Sequence, residues 1–127
     1  MERFAAACGG YVINLRRVKC RMYNRLRNIY NSLRYCRIQL RYGRQVDRWW
    51  LVKKFVYLIN GFEYAKWEKL SVPIGLKRAF EKYVNGGLEA LLSYIYDRYL
   101  QGIDRETWEF IRSYVYRFTR GWWWWMW

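Results

Sequence analysis

This chain of 127 residues has no histidine, a single proline and three cysteines. Without an imidazole there is no Ser-His-Asp or Cys-His arrangement and no near-neutral nitrogen base, so the common hydrolytic mechanisms are excluded. Cys8, Cys20 and Cys36 lack the short paired spacing of a zinc site, and no metal or cofactor is expected. No glycine-rich phosphate cradle precedes a helix. Glu106 and Glu109 share a helical face, but Arg105 and Arg112 stand beside them, which reads as a surface ion-pair network rather than a pair of catalytic acids. Long apolar runs are missing too. A spanning helix needs about 20 such residues, and the nearest approach, Trp49–Ile59, is split by Lys53 and Lys54. Phe4–Cys8 is too short for a secretory signal core. The chain therefore reads as neither an enzyme nor a membrane-spanning protein.

Acid is the scarcest property of the first half. The whole chain carries 24 Lys+Arg against 10 Asp+Glu, a formal net charge of +14, and no acid lies between Glu2 and Asp47. Residues 1–54 have a net charge of +12 and residues 55–127 only +2. A surface built for solubility mixes its signs. A segregated excess costs self-repulsion and points to a polyanion as partner. Arginine predominates in the basic half, and its planar fork suits bidentate phosphate contacts. With 54% hydrophobic residues the chain also has a core to bury, unlike a disordered basic tail.

Periodicity assigns the fold. Leu15, Val18, Met22, Leu26, Ile29, Leu33, Cys36 and Leu40 recur at spacings of three and four, predicting one helix from about Tyr11 to Tyr42. At 1.5 Å per residue it is about 45 Å long. One position further on, Arg16, Lys19, Tyr23, Arg27, Tyr30, Arg34, Arg37 and Arg41 form a parallel cationic row with two interleaved tyrosines. Arg17, Arg21 and Arg25 flank its start, Arg44 follows its end, and a largely neutral third face carries Asn14, Asn24, Asn28, Asn31, Ser32 and Gln39. Beyond Gly43 the punctuation predicts short antiparallel helices over Val46–Ile59, Phe62–Leu70, Ile74–Val84, Leu88–Gln101 and from Asp104 to about Thr119. Asn60-Gly61 reads as a helix stop, Pro73 as a first-turn residue, Asp104 as a cap, and Ile103 with Trp108 as a hydrophobic staple. Trp49, Trp50, Trp67 and Trp108 are expected to help fill the core. The expected fold is all-α: a basic arm (1–44), a compact helical bundle (45–120) and a Trp-rich tail (121–127). Cys20 and Cys36 are too far apart on one helix to bridge within it. A disulfide through Cys8 or between chains stays open, beside the plainer reading of all three as small buried hydrophobes.

A duplex carries about one charge per 1.7 Å, so such a helix lies beside about 26 phosphates. Arg16, Arg17, Lys19, Arg21, Tyr23, Arg25, Arg27, Tyr30, Arg34, Arg37, Arg41 and Arg44 are the candidate nucleic-acid contacts. A continuous rail suits coating, whereas base readout uses the N-terminal tips of a short recognition helix. An acid-free basic helical arm, a compact C-terminal bundle and an apolar tip together resemble the major coat proteins of filamentous and rod-shaped archaeal viruses, of the lipothrixvirus or tristromavirus type. That resemblance implies a nucleocapsid subunit in a virion, assembled in the host cytoplasm. It also implies pairing with a like or related coat protein, basic arms wrapping double-stranded DNA in A-form, and a lipid envelope around filamentous members. Two other readings remain: a cellular nucleoid protein, which has little use for the Trp tail, and a basic amphipathic protein of the membrane surface. The narrow apolar stripe, without Trp or Phe, disfavours the latter.

Trp122, Trp123, Trp124, Trp125 and Trp127, with Met126 among them, form the tail. Burying a large side chain contributes about 2–3 kcal/mol, so a run of this kind favours a second surface, either a subunit or the headgroup layer of an envelope. Deleting residues 122–127 should leave helicity and thermal midpoint nearly unchanged while weakening assembly or envelope attachment. Tryptophan emission that shifts blue on lipid vesicles in the intact protein, and not in the truncation, identifies lipid as the partner; a large loss of monomer stability would instead place the tail in the core.

Overall fold

The structure, a computed structural model, describes residues 14–120, with side chains from Lys19 onward. The described chain is helical throughout: α1 (Asn14–Arg41), α2 (Arg48–Glu68), a 3-10 turn (Ile74–Leu76), α3 (Lys77–Tyr99) and α4 (Arg105–Thr119). α2 is central, with α1 against one side and α4 against the other, and α3 closes over α1 and α2.

The apolar row of α1 does what its spacing predicts. Met22, Leu26, Ile29, Leu33 and Cys36 are buried, and Leu26 through Cys36 join one core with Leu51, Phe55, Leu58 and Phe62 of α2 and Leu91, Leu92 and Ile95 of α3. From Cys20 on, the stretch read as an arm is thus packed into the bundle and shares its core. Burial pushes the Cys36 thiol up to about 12, so it stays protonated at neutral pH and acts as a small core hydrophobe. Cys20 is buried as well but is disulfide-bonded, which departs from the reading of every cysteine as a free hydrophobe; Cys8 lies outside the described residues.

Two expected boundaries come out differently. Asn60-Gly61 does not stop a helix, because α2 runs through both residues and buries them. A Cβ on Gly61 would sit 2.6 Å from Cδ2 of Leu26, so glycine here lets α1 and α2 approach rather than ending α2. The helix ends at Lys69, in the left-handed region at φ 54°, where Leu70 N–H reaches Ala65 O at 2.9 Å. The break expected at residues 85–87 survives as a kink: α3 continues across it, but Gly87 adopts φ 78°, ψ −166°. That is a conformation open essentially to glycine alone.

The start of α4 follows its sequence signals. Asp104 Oδ2 accepts from Thr107 N–H at 3.0 Å, and the bonds from Thr107 hold its carboxyl below the ordinary range. Ile103 beside it is buried. Asp47 caps α2 in the same manner, accepting from Trp50 N–H at 3.1 Å. The ion-pair network expected along α4 is absent among the described residues. Arg112 instead donates from Nη2 to both carboxylate oxygens of Glu89 on α3, at 2.8 and 3.1 Å, with Tyr116 donating to the same carboxylate. The tryptophans are likewise not core residues: Trp49 and Trp67 are exposed, and Trp50 and Trp108 are half-buried at the margin. Phe55 and Phe62 are the aromatic centre.

Gly87→Ala tests the kink. Nothing stands within 4 Å of a Cβ there, so space is not at issue. Its backbone conformation alone should cost about 1–3 kcal/mol in chemical denaturation. An unchanged or raised midpoint would show that α3 straightens freely.

Candidate nucleic-acid interface

α1 presents its basic face because its apolar face is held in the core. A 28-residue helix is about 42 Å long. Along it Arg21, Arg27, Arg34 and Arg41 are exposed, and Arg44 stands exposed just beyond the end. Hydrogen bonds from Gly43 N–H to Leu40 O (3.0 Å) and from Arg44 N–H to Gln39 O (2.9 Å) close α1 and place Arg44 beside its last turn. Arg27, Arg34 and Arg41 fall every seven residues, about 10.5 Å apart along the axis. No ion pair engages any of them: the one ion pair among the described residues is Arg112 with Glu89. Lys19, Arg25 and Arg37 are half-buried. Arg16 and Arg17 lie on α1, but their side chains are outside the described set, as is the whole Trp122–Trp127 segment.

The tyrosines of the row have a different task from the one expected. Tyr23 is 6% exposed and belongs to the buried face, so it is not available to a nucleic acid. Tyr30 is half-buried, edge-on to Tyr99 with ring centroids 6.5 Å apart. Its ring lies so close to Gly75 that a Cβ there would meet Cζ at 2.3 Å. Wedged in this way, Tyr30 supports Arg34, whose guanidinium carbon lies 5.6 Å above the ring. Tyr57 of α2 does the same for Arg25 at 5.1 Å. Such stacking contributes about 0.5–1 kcal/mol at exposed sites and narrows the positions the guanidinium samples. A row at spacings of three and four zigzags over about 80° of the helix surface, and Lys19, Tyr23, Tyr30 and Arg37 fall on the side nearer the core.

The accessible large hydrophobic side chains on α1 and just beyond its end are residues that the row omitted. Tyr35, Ile38 and Tyr42 are 54%, 53% and 76% exposed. They continue the strip of Asn24, Asn28 and Asn31, all exposed, and border Arg34 and Arg41. The signal was present as spacings of four and three from Asn24 through Tyr42. It was obscured because that strip begins as amides and ends as aromatics.

Among the described residues no helix is long and apolar enough to cross a membrane, and no group of three His, Cys, Asp or Glu is placed to hold a metal. The chain matches no family model, no curated protein and no solved structure.

The two faces of α1 separate experimentally. Arg27→Glu with Arg34→Glu should abolish duplex binding and leave far-UV circular dichroism and thermal midpoint close to wild type. Leu26→Asp or Leu33→Asp should unfold the bundle, since a buried carboxylate without a partner costs several kcal/mol. The same unfolded product from both sets would refute a two-faced helix.

Proposed function

We propose that this protein coats double-stranded DNA without reading its sequence, as a structural nucleocapsid subunit of a filamentous virus. The observation that carries the proposal is the exposed and unpaired series Arg27, Arg34, Arg41 and Arg44 on a helix whose other side is core. A rigid helix of about 42 Å spans about 25 duplex charges at one per 1.7 Å. The bundle sets the direction of the rail, so each subunit contributes a fixed length of cationic surface. Arginine forks fit phosphate oxygens, and the bordering Tyr35 and Tyr42 offer hydroxyls to the sugar-phosphate backbone. Among the described residues no short helix presents a cluster of base-reading side chains at its N-terminus, so affinity rests on charge.

The finer parts of the proposal concern assembly. The basic face of α1 supplies the DNA-facing surface, the rest of the bundle faces outward, and Trp122–Trp127 supply a contact to a neighbouring subunit or to an envelope. Assembly into a helical filament with a like or related chain multiplies weak phosphate contacts along one polymer, because neighbours on one lattice bind at high effective concentration.

Binding to random duplexes of equal length, titrated across a salt series, is the direct test. Log affinity should fall linearly with log salt, and Arg27→Ala with Arg34→Ala should lower the slope by about 2 on every duplex alike. A preferred site, or an affinity indifferent to salt, would overturn the proposal.

A further inference from the structure

α4 carries an aromatic row at the margin of the core, with Phe110 and Tyr114 half-buried against it and Phe118 exposed, away from the basic rail. Phe110, Tyr114 and Phe118 recur every four residues, and Trp49 of α2 leans against the first two. Ring centroids are 4.9 Å apart for Trp49 and Phe110, 4.7 Å for Trp49 and Tyr114, 4.7 Å for Phe110 and Tyr114, and 6.0 Å for Tyr114 and Phe118. Trp49 is still 50% exposed and Phe118 42%. This is a continuous aromatic ladder on the outside of the bundle. Soluble monomers rarely leave such a surface without a use.

Beside the ladder the charges are sorted by sign. Glu106 and Glu109 occupy the first half of α4, Arg117 and Arg120 its end, and the small Ser113 lies between; all five are exposed. None takes part in an ion pair among the described residues, while Arg117 lies 6.0 Å from the Tyr114 ring and Arg120 5.8 Å from that of Tyr116. Arg105 lies half a turn round the helix from Tyr114, and Arg112 is committed to Glu89. The helix dipole by itself favours acids early and bases late. It does not account for the same strip bordering a row of rings of which Trp49 and Phe118 remain open, Arg48 lying 4.1 Å over Phe110 and Arg117 6.0 Å from Tyr114.

A second copy of this chain fits that pattern in one orientation. A parallel pairing of two α4 helices sets acid against acid and base against base. An antiparallel pairing about a two-fold axis near Ser113 sets Glu106 and Glu109 of each copy opposite Arg117 and Arg120 of the other. It brings aromatic flank to aromatic flank at the same time. A two-fold contact requires a patch complementary to itself, which is what this sorting provides. Ser113 at the centre leaves room for the two backbones to approach. We propose that α4, with Trp49, is an antiparallel homodimer contact, a proposal that extends the assembly part of the preceding reading.

Charge exchange on the full-length chain tests it, with mass measured by analytical ultracentrifugation in the absence of DNA. Glu106→Arg with Glu109→Arg makes the strip wholly basic, and Arg117→Glu with Arg120→Glu makes it wholly acidic. Each variant alone should self-associate more weakly than wild type by on the order of a hundredfold, and an equimolar mixture of the two should recover dimers. Ser113→Glu, a single change at an exposed position, should weaken the dimer while keeping wild-type circular dichroism. A monomeric wild type across the micromolar range would overturn the proposal, as would charge variants that dimerise normally or a mixture that stays monomeric. So would a chain whose dimer is lost on deletion of residues 122–127 but indifferent to Ser113→Glu, since the tail would then be the contact. The Arg27→Glu, Arg34→Glu protein should still dimerise, so failure of the DNA reading and failure of this contact are scored separately.

Discussion

The close approach of α1 to α2, where Leu26 lies on the bare backbone of Gly61, is the contact on which the remaining surfaces depend. It holds the leucine row of α1 in a core shared with α2 and α3. With one face fixed, the rotation of α1 about its own axis is fixed as well. The arginines opposite are then directed outward by packing and not by any contact of their own. A helix so rich in like charge would gain little from folding alone, because repulsion along its exposed side opposes compaction. Burial on the other side offsets that cost, each large apolar side chain contributing about 1.5–3 kcal/mol.

Tyrosine links the core to the charged surface. Tyr30 is pressed between Gly75 and Tyr99 below, and it carries Arg34 above. Tyr57 stands in the same relation to Arg25. An arginine supported by a wedged ring loses less rotamer entropy when it meets a phosphate than one waving from a bare helix. The preorganisation is local, residue by residue, and needs no acid that would compete with DNA for the guanidinium. On the far side of the bundle the opposite strategy holds. There Glu89 ties α3 to α4 through Arg112 and Tyr116, and charges of both signs are present. The molecule therefore keeps an unpaired basic surface apart from a surface of mixed sign. On the proposed function, segregation of that kind would let DNA binding and subunit contact proceed without competing for the same side chains.

The all-helical class, the C-terminal end of α1, the Asp104 cap and the end of α4 at Thr119 were legible from sequence, because each rests on local chemistry: side-chain period, a capping carboxylate, a following glycine; the expected start of α1 at Tyr11 lies outside the described residues. The kink at Gly87 was legible for the same reason. Much of the candidate interface was legible too, since Arg27, Arg34 and Arg41 are exposed wherever an amphipathic helix buries its leucines. What only the tertiary structure decided was whatever depends on a second element. Asn60-Gly61 carries the local signature of a stop, yet α2 continues through it because packing against Leu26 outweighs the intrinsic cost of glycine in a helix, about 1 kcal/mol. Tyr23 and Tyr30 sit on the rail by spacing but fall on the buried side once α2, α3 and the Pro73–Leu76 turn close round α1. Tyr35 and Tyr42 are left in the open by the same closure. Likewise, no sequence pattern shows that Trp49 of α2 completes a ladder begun on α4. A periodicity states which residues share a face; which face meets another helix, and how closely, is settled by the volumes packed between them.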